Sequence, residues 1–580
     1  MKKHSLIYVS IILLIVLLFT GCIQPPSTPP ESPYYWFDKL DRNNDERISR
    51  LEAFFNRHFN FYDLNDDGYI DLVEWINYLN YQAFLALDTN HDGKISWEEY
   101  LVLDGMYERY YAIKKAGAQP PKGVTLPNPY PEKIDPLGLT FAQDFTPGAT
   151  DPQGLYLQAR ETAVLIGHQG MLFASFGARW REPNPNFQAN GIWRKESPTG
   201  PWIVDYQLPP YLFRVECMFS MNFTTDATAN PFTSSISTLV AAIWSSSEKQ
   251  IHIRNDTVGA WGIYPVTGGR ELQTGETFSI RSFGSHIDKV TGVHSLYAGA
   301  WFGSWGNVGA FDAMVLRASY DSTVEGGLIW APQAELTGVG RIMGFAECNG
   351  DLYVSCGIKD DTSLSGGVFR RIDGTNPSWE LVYRFPEYNL GVWDDEQRIM
   401  RGITAVPDPN NPNKEVLIGF RFFPSPKIER IDPQQNHKVT VELEMRTFFG
   451  KAFFGEGQYY GAMRAAYNGF TEYRNPVTNE TVYLTGMQIY HPLFPEPAHS
   501  GSFYLVRFQN GSYDWGEIVD PVHPVRANTS LDATRRICVS PFAEDNGQVL
   551  YFGGYDGAFV DNLTAWIYKG TFLKNMGEKQ

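Results

Sequence analysis

The hydrophobic and polar positions divide this chain into three parts. One apolar run, residues 6–19, lies near the N-terminus, and apolar residues then recur with helical spacing to about residue 115. Beyond a proline-rich stretch, short alternating apolar runs end in turn residues. Helical spacing predicts helices and alternation predicts strands. We therefore predict a multidomain protein with a small all-α domain followed by a large all-β domain.

The length supports this division, because 580 residues exceed what one hydrophobic core usually serves. The predicted segments are a signal peptide (1–22), a proline-rich stalk (23–33), a helical domain (34–117), a proline-rich linker (118–136) and a β domain (137–580).

A loose four-strand unit recurs in the β domain. One copy contains Met171–Gly177, Gly191–Ser197 and Trp202–Leu208 as its second to fourth strands. Further second strands are predicted at Leu239–Trp244, Leu296–Trp301, Leu352–Cys356, Val416–Phe420, Val482–Met487 and Val549–Gly553. Seven such units favour a seven-bladed β-propeller, with a pair of β-sandwiches as the alternative. The last copy lacks a fourth strand, which Leu139–Phe145 is expected to supply.

The N-terminal segment has the features of an export signal. Lys2 and Lys3 precede the apolar run, and Thr20-Gly21-Cys22 closes it. The small residues before a cysteine resemble a lipobox, which implies lipidation of Cys22. An uncleaved signal anchor is the alternative, and either predicts membrane attachment with the rest of the chain outside the cytoplasm, at the cell surface or in the periplasm.

Three polar loops follow one another within about 60 residues of the helical part. Each has Asp or Asn at its first, third and fifth positions and Glu at its twelfth, the pattern in which oxygen ligands surround one hard cation. The predicted metal ligands are Asp41, Asn43, Asp45, Arg47, Ser49 and Glu52; Asp63, Asn65, Asp67, Tyr69, Asp71 and Glu74; and Asp88, Asn90, Asp92, Lys94, Ser96 and Glu99.

This stretch, about Pro33 to Lys115, resembles EF-hand proteins, which implies that its cofactor is Ca²⁺. Arg47, Tyr69 and Lys94 would contribute backbone carbonyls only. EF-hand loops normally pair through a short β contact at their eighth positions, here Ile48, Ile70 and Ile95. Because one straight helix between the first two loops would separate them by roughly 20 Å, we expect Ile48 to pair with Ile95 and not with Ile70.

The net charge of −17 disfavours nucleic-acid binding, since an acidic surface repels phosphates. Two turns, at Asp373-Gly374 and Asn510-Gly511, resemble the Asp-box turns of sialidase-like propellers, which implies an arginine cluster, a tyrosine and a carboxylic acid at the channel mouth. Residues placed to contribute are Arg160, Arg401, Arg464, Arg535 and Arg536, with Asp395, Glu396, Tyr467 and Asp556.

Two functions remain open from the sequence. One is a recognition module that binds a glycan or protein ligand, and the other is a calcium-dependent hydrolase or lyase acting on extracellular glycans. Many sequences of this composition offer similar polar residues, so we favour recognition. His168, His252, His286, His294, His491 and His499 are dispersed along the chain and suggest no metal cluster.

Overall fold

The computed structural model divides the chain into two compact units, 1–125 and 126–580. The division falls inside the segment predicted to be a linker. The described residues are 47–49, 69–71, 135–145, 148–155, 159, 161–177, 191–209, 214–244, 248–303, 312–359, 364–385, 399–422, 426–454, 463–465, 469–476, 478–490, 499–518, 533–555 and 565–572.

Two short strands are described in the N-terminal unit. They are β1 (Arg47–Ser49) and β2 (Tyr69–Asp71), which form an antiparallel pair. Each strand comprises the seventh to ninth positions of a predicted metal loop.

The described part of the large unit is almost entirely β. Its first strand is β3 (Leu139–Phe145), and the next sheet has the order β4-β5-β6-β7. The members of that sheet are β4 (Glu161–His168), β5 (Met171–Gly177), β6 (Gly191–Lys195) and β7 (Ile203–Gln207). A second four-stranded sheet contains β8 (Val215–Thr225), β9 (Pro231–Ile243), β10 (Gln250–Asn255) and β11 (Ala260–Pro265).

An eight-stranded sheet follows and consists of two four-stranded groups. The first group is β12 (Thr277–Ile287), β13 (His294–Gly303), β14 (Asp312–Tyr320) and β15 (Leu328–Trp330). The second is β16 (Leu336–Cys348), β17 (Asp351–Lys359), β18 (Leu364–Ile372) and β19 (Ser378–Arg384). The start of β16 also pairs with β14, which joins the two groups.

The remaining strands form a four-stranded and a nine-stranded sheet. The four-stranded sheet contains β20 (Arg401–Asp408), β21 (Asn411–Arg421), β22 (Lys427–Asp432) and β23 (Lys438–Glu444), and is followed by the helix α1 (Met445–Phe454). The nine-stranded sheet contains β24 (Met463–Ala465), β25 (Thr471–Arg474), β26 (Thr481–Tyr490), β27 (His499–Phe508), β28 (Tyr513–Glu517), β29 (Ala533–Val539), β30 (Val549–Tyr555), β31 (Ala565–Phe572) and β3. Three-residue 3₁₀ turns occur at Glu325–Gly327, Pro433–Gln435 and Ala543–Asp545.

Burial within each group explains its hydrophobic pattern. Second strands such as β30 are buried at every residue, so they are continuously apolar. Outer strands such as β23 contain only partly buried and exposed residues. A strand covered on both faces requires apolar residues throughout, whereas a strand at an edge requires them on one face only.

The first strands of successive groups contact one another. Strand β4 contacts β8 and β29, β8 contacts β12, β12 contacts β16, and β16 contacts β20. Between the fifth and sixth groups, the Phe470 amide donates to Thr404 Oγ1 at 3.0 Å. Thr471 Oγ1 then donates to the Ile537 carbonyl at 2.7 Å. Because β29, the first strand of the seventh group, also contacts β4, the contacts between neighbouring groups run through all seven groups and return to the first.

The predicted terminal pairing is confirmed. Strand β3 pairs antiparallel with β31, from Leu139 opposite Phe572 to Phe145 opposite Ile567. The seven predicted second strands are also strands of the described structure, each in the second position of its group.

Candidate functional site

Two of the predicted metal loops are brought together by their central residues. Ile48 lies opposite Ile70, Arg47 opposite Asp71, and Ser49 opposite Tyr69. The eighth positions of the first and second loops therefore meet, and the expectation that Ile48 pairs with Ile95 is wrong. That expectation assumed that the first two loops are roughly 20 Å apart, whereas β1 and β2 are in direct antiparallel contact.

Most of the predicted metal ligands lie outside the described residues. Of the set, the backbone positions of Arg47, Ser49, Tyr69 and Asp71 are described. The remaining ligands, the third loop with Ile95 and the segment 1–22 with Cys22 fall outside the described ranges.

A charged cluster lies where the first strands of neighbouring groups begin. Glu161, at the start of β4, accepts from Arg214 Nη1 and forms an ion pair with Arg535 of β29. Arg214 Nε also donates to Glu216 Oε2 at 2.8 Å, and Arg281 Nη1 of β12 lies 3.0 Å from Glu216 Oε1. Two glutamates are thus shared among three arginines. With Arg536 added, we call these six residues the arginine cluster.

Burial and mutual proximity define the electrostatics of this cluster. Burial opposes the charge of Arg214, but Glu161 and Glu216 outweigh it and raise the pKa of Arg214. Burial, together with a smaller effect of the neighbouring Arg535, lowers the pKa of Arg536 to about 9. The cluster contains four guanidinium groups and two carboxylates. Guanidinium groups are suited to binding an anion.

The sequence analysis identified part of this cluster. Arg535 and Arg536 belong to it, and Arg401 is buried at the start of β20. Arg160, Asp395, Glu396, Tyr467, Asp556 and the side chain of Arg464 lie outside the described residues. Glu161, Arg214, Glu216 and Arg281 were missed, although charged residues beside buried first strands provided a signal for them.

A separate cavity of about 730 Å³ lies where the first strands lead into short turns. Its polar lining includes His168, Ser220, Asn222, Ser237 and Arg536. The fully buried His168 side chain makes hydrogen bonds through both ring nitrogens, Nδ1 to Ser220 Oγ at 2.8 Å and Nε2 to Asp256 Oδ2 at 2.9 Å.

Asp256 is held by further donors. Gln169 Nε2 donates to its Oδ2 at 3.1 Å, and Arg254 Nη1 donates to its Oδ1 at 2.6 Å. Arg254 also bonds Asp205. A continuous polar network therefore links the first sheet to the second.

The same arrangement recurs between the third and fourth groups. His286 is the penultimate residue of β12, near the strand end as His168 is in β4, and its Nδ1 lies 3.0 Å from Glu347 Oε2. Its Nε2 lies 3.1 Å from both oxygens of Asp373, which also accepts from Arg371. The short motif Arg-x-Asp at the end of a third strand, Arg254 with Asp256 and Arg371 with Asp373, is therefore a repeated contact between sheets.

The two histidines differ in charge environment. Burial opposes protonation of His286, but its hydrogen bonds to Glu347 and Asp373 outweigh burial and raise its pKa. His168 instead has one carboxylate and one hydroxyl as partners, and that hydroxyl faces the cavity.

Comparison with protein families finds similarity in the N-terminal unit. The EF hand family matches residues 57–79 and 81–103. These ranges contain the second and third predicted loops and support calcium binding. The comparison with curated proteins gave no match.

Solved structures resemble the large part of the chain only distantly. A Hadza microbial sialidase is 10% identical, with a TM-score of 0.34, over 61% of this chain and 65% of the sialidase, so the chain spans under two thirds of that protein. A protein of unknown function from Dyadobacter fermentans is 10% identical over 75% of this chain and 100% of its own, with a TM-score of 0.37. An ulvan lyase is 11% identical over 63% and 93%, with a TM-score of 0.34. Likenesses at this level identify neither a fold nor an activity.

Among the described residues, no three His, Cys, Asp or Glu side chains are grouped so that they could hold a metal ion. Nor does any helix there have the length and apolar character needed to span a membrane.

Proposed function

We propose that the large unit is a seven-bladed β-propeller that recognises an anionic glycan. Seven four-stranded groups whose first strands contact one another in cyclic order support this architecture. The pairing of β3 with β31 supports it further, since it completes the last group with the first strand of the unit.

The observation that carries the functional proposal is the arginine cluster. Its four arginines come from first strands or the residue that precedes one of them, and Glu161 and Glu216 form ion pairs with three of these arginines. Guanidinium groups match the paired oxygens of carboxylates and sulfates. The ligand proposed here is therefore a polysaccharide that carries uronate or sulfate groups.

The N-terminal unit completes the proposal. It binds Ca²⁺ through its three loops, and lipidation of Cys22 attaches the chain to a membrane outside the cytoplasm. The EF hand matches support the calcium part. Calcium here stabilises the unit that connects the recognition domain to its anchor.

Binding measurements on the full chain test this function. Arg281→Ala and Arg535→Ala each remove one guanidinium beside a buried glutamate, and the expected result is at least a tenfold loss of affinity for polygalacturonate by calorimetry. Arg474→Ala is the matched control, because Arg474 is an exposed arginine that bonds Asn479 at a distant turn. Equal affinity in all three variants, or equal binding of a neutral dextran, contradicts the proposal.

An enzymatic alternative rests on the two buried carboxylates. Glu161 and Glu216 lie among cations that would hold an acidic sugar, so a hydrolase or lyase acting on extracellular glycans is the second candidate. Glu161→Gln and Glu216→Gln would then abolish release of reducing ends or of unsaturated products. No release from acidic polysaccharides by the wild-type chain with Ca²⁺ leaves recognition as the function.

A further inference from the structure

Ser220, His168 and Asp256 form a chain of hydrogen bonds that ends in a cavity. Ser220 lies on β8, His168 ends β4, and Asp256 follows β10. The separations are 2.8 Å from Ser220 Oγ to His168 Nδ1 and 2.9 Å from His168 Nε2 to Asp256 Oδ2. A hydroxyl, an imidazole and a carboxylate in this order constitute an activated nucleophile with its base and orienting group.

The surroundings fix the orientation of the histidine. Asp256 is also bonded by Arg254 and Gln169, which hold it in place. A carboxylate at Nε2 favours the tautomer with the proton on that nitrogen. In that tautomer Nδ1 is the acceptor that faces the Ser220 hydroxyl.

The repeated contact at His286 provides an internal comparison. At that contact Glu347 occupies the position that Ser220 has beside His168. His286 therefore lies between two carboxylates and links two four-stranded groups by hydrogen bonds. At His168 a nucleophilic hydroxyl replaces one carboxylate, and both His168 and Ser220 line the cavity. The two contacts share the histidine and the Arg-x-Asp carboxylate, and they differ in the group that faces Nδ1, a hydroxyl at His168 and a carboxylate at His286.

We propose that Ser220 is the nucleophile of an acyl-transfer site that hydrolyses carboxylic esters with a small acyl group. Ser220 Oγ bonds to the ester carbonyl carbon while His168 Nδ1 takes the hydroxyl proton. Collapse of the tetrahedral intermediate breaks the bond to the alcohol oxygen, which leaves with that proton. Water then attacks the acyl-serine, gives a proton to His168, and releases the carboxylic acid as Ser220 recovers its proton.

Other polar groups of the cavity suit this chemistry. Asn222 is two residues from Ser220 on the same strand, so both side chains point to one face of the sheet. The Asn222 amide is a hydrogen-bond donor, the kind of group that stabilises a carbonyl oxygen as it gains negative charge. Arg536 also lines the cavity, and its Nε donates to the Ala163 carbonyl at 3.4 Å. The cavity of about 730 Å³ accommodates an ester of drug-like size or smaller.

Covalent labelling of the full chain tests this site. A fluorophosphonate probe is expected to label Ser220, identified by peptide mass, and p-nitrophenyl acetate to be hydrolysed. Ser220→Ala should abolish the labelling and lower hydrolysis by about 10³-fold or more. Asp256→Asn should slow both reactions, because the histidine loses its orienting carboxylate.

Ser282→Ala is the matched control. Ser282 lies on β12, the first strand of the next group, and its hydroxyl bonds the Ile342 carbonyl. The Ser282→Ala variant should be labelled by the probe and should hydrolyse p-nitrophenyl acetate as the wild type does. Absence of label on the folded wild-type chain, label at another residue, or full hydrolysis by Ser220→Ala would overturn the assignment.

Ser220, His168 and Asp256 do not belong to the arginine cluster, although Arg536 of that cluster also lines the cavity. Ser220→Ala should bind polygalacturonate as the wild type does, and Arg281→Ala should still be labelled. Failure of one proposal is therefore distinguishable from failure of the other.

Discussion

Leu139, the first residue of β3, lies opposite Phe572, the last residue of β31, so the strand that begins the large unit is paired with the strand that ends it. Phe145, at the other end of β3, is 2% exposed and packs against Phe176, Trp193 and Trp202 of the next sheet. The strand therefore joins the last group to the first by pairing and by side-chain packing.

Removal of the Phe145 ring should weaken this closure. We expect Phe145→Ala to lower the free energy of unfolding by about 3–5 kcal/mol, since it leaves a buried cavity. Thr140→Ala on the same strand is the control, because Thr140 is exposed, and its change should stay within about 0.5 kcal/mol. Urea denaturation measures both, and equal effects would show that β3 is not packed as described.

A buried neutral histidine should make the large unit sensitive to acid. His252 is 1% exposed, its ring centroid lies 5.2 Å from that of Tyr206 with the rings tilted, and both its ring nitrogens lack a hydrogen-bond partner in the described structure. Burial lowers its pKa to about 4. The unfolded chain, with a histidine pKa of about 6.5, takes up the proton first as the pH falls.

The free energy of unfolding should therefore fall as the pH drops from 6.5 to 4. The loss should reach about 3 kcal/mol at pH 4 and be absent above pH 7. His252→Leu removes this contribution, so the difference in unfolding free energy between variant and wild type should grow as the pH falls. A difference independent of pH would contradict the lowered pKa.

His286 should show the opposite dependence. Its raised pKa means that the folded protein holds the proton more tightly than the unfolded chain. The stabilisation is therefore complete below about pH 6.5 and is lost as the pH rises through the folded pKa. His286→Gln should lower stability at pH 6 more than at pH 9, and thermal unfolding across that range checks the sign.

The contact between β1 and β2 predicts coupling between two calcium loops. The second loop should bind Ca²⁺ most tightly, because it offers four carboxylates, and the first most weakly, since Glu46 replaces the glycine usual at its sixth position. Asp63→Ala should remove the tightest phase in calorimetry and also weaken the first loop, through the pairing of Ile48 with Ile70. Asp88→Ala in the third loop should leave the first unchanged, and a first loop unaffected by Asp63→Ala would exclude coupling.

Periodicity predicted the strands but not the contacts between sheets. Buried second strands such as Val549–Tyr555 are continuous apolar runs, and the missing strand of the last group indicated the pairing of β3. The partners of His168 and His286 lie 52 to 88 residues away, so no local pattern identified them. The Arg-x-Asp motifs were present in the sequence, and their repetition was the missed signal. Loop pairing was predicted wrongly, because helix length was taken as fixing the distance between loops.

A crystal structure of the full chain with a galacturonate oligosaccharide tests the central claim most directly. The account predicts a sugar carboxylate within hydrogen-bond distance of Arg281 or Arg535, at the end of the sheets where the first strands begin. An oligosaccharide bound at another face, or an arginine cluster left empty at a ligand concentration that saturates binding in solution, would contradict it.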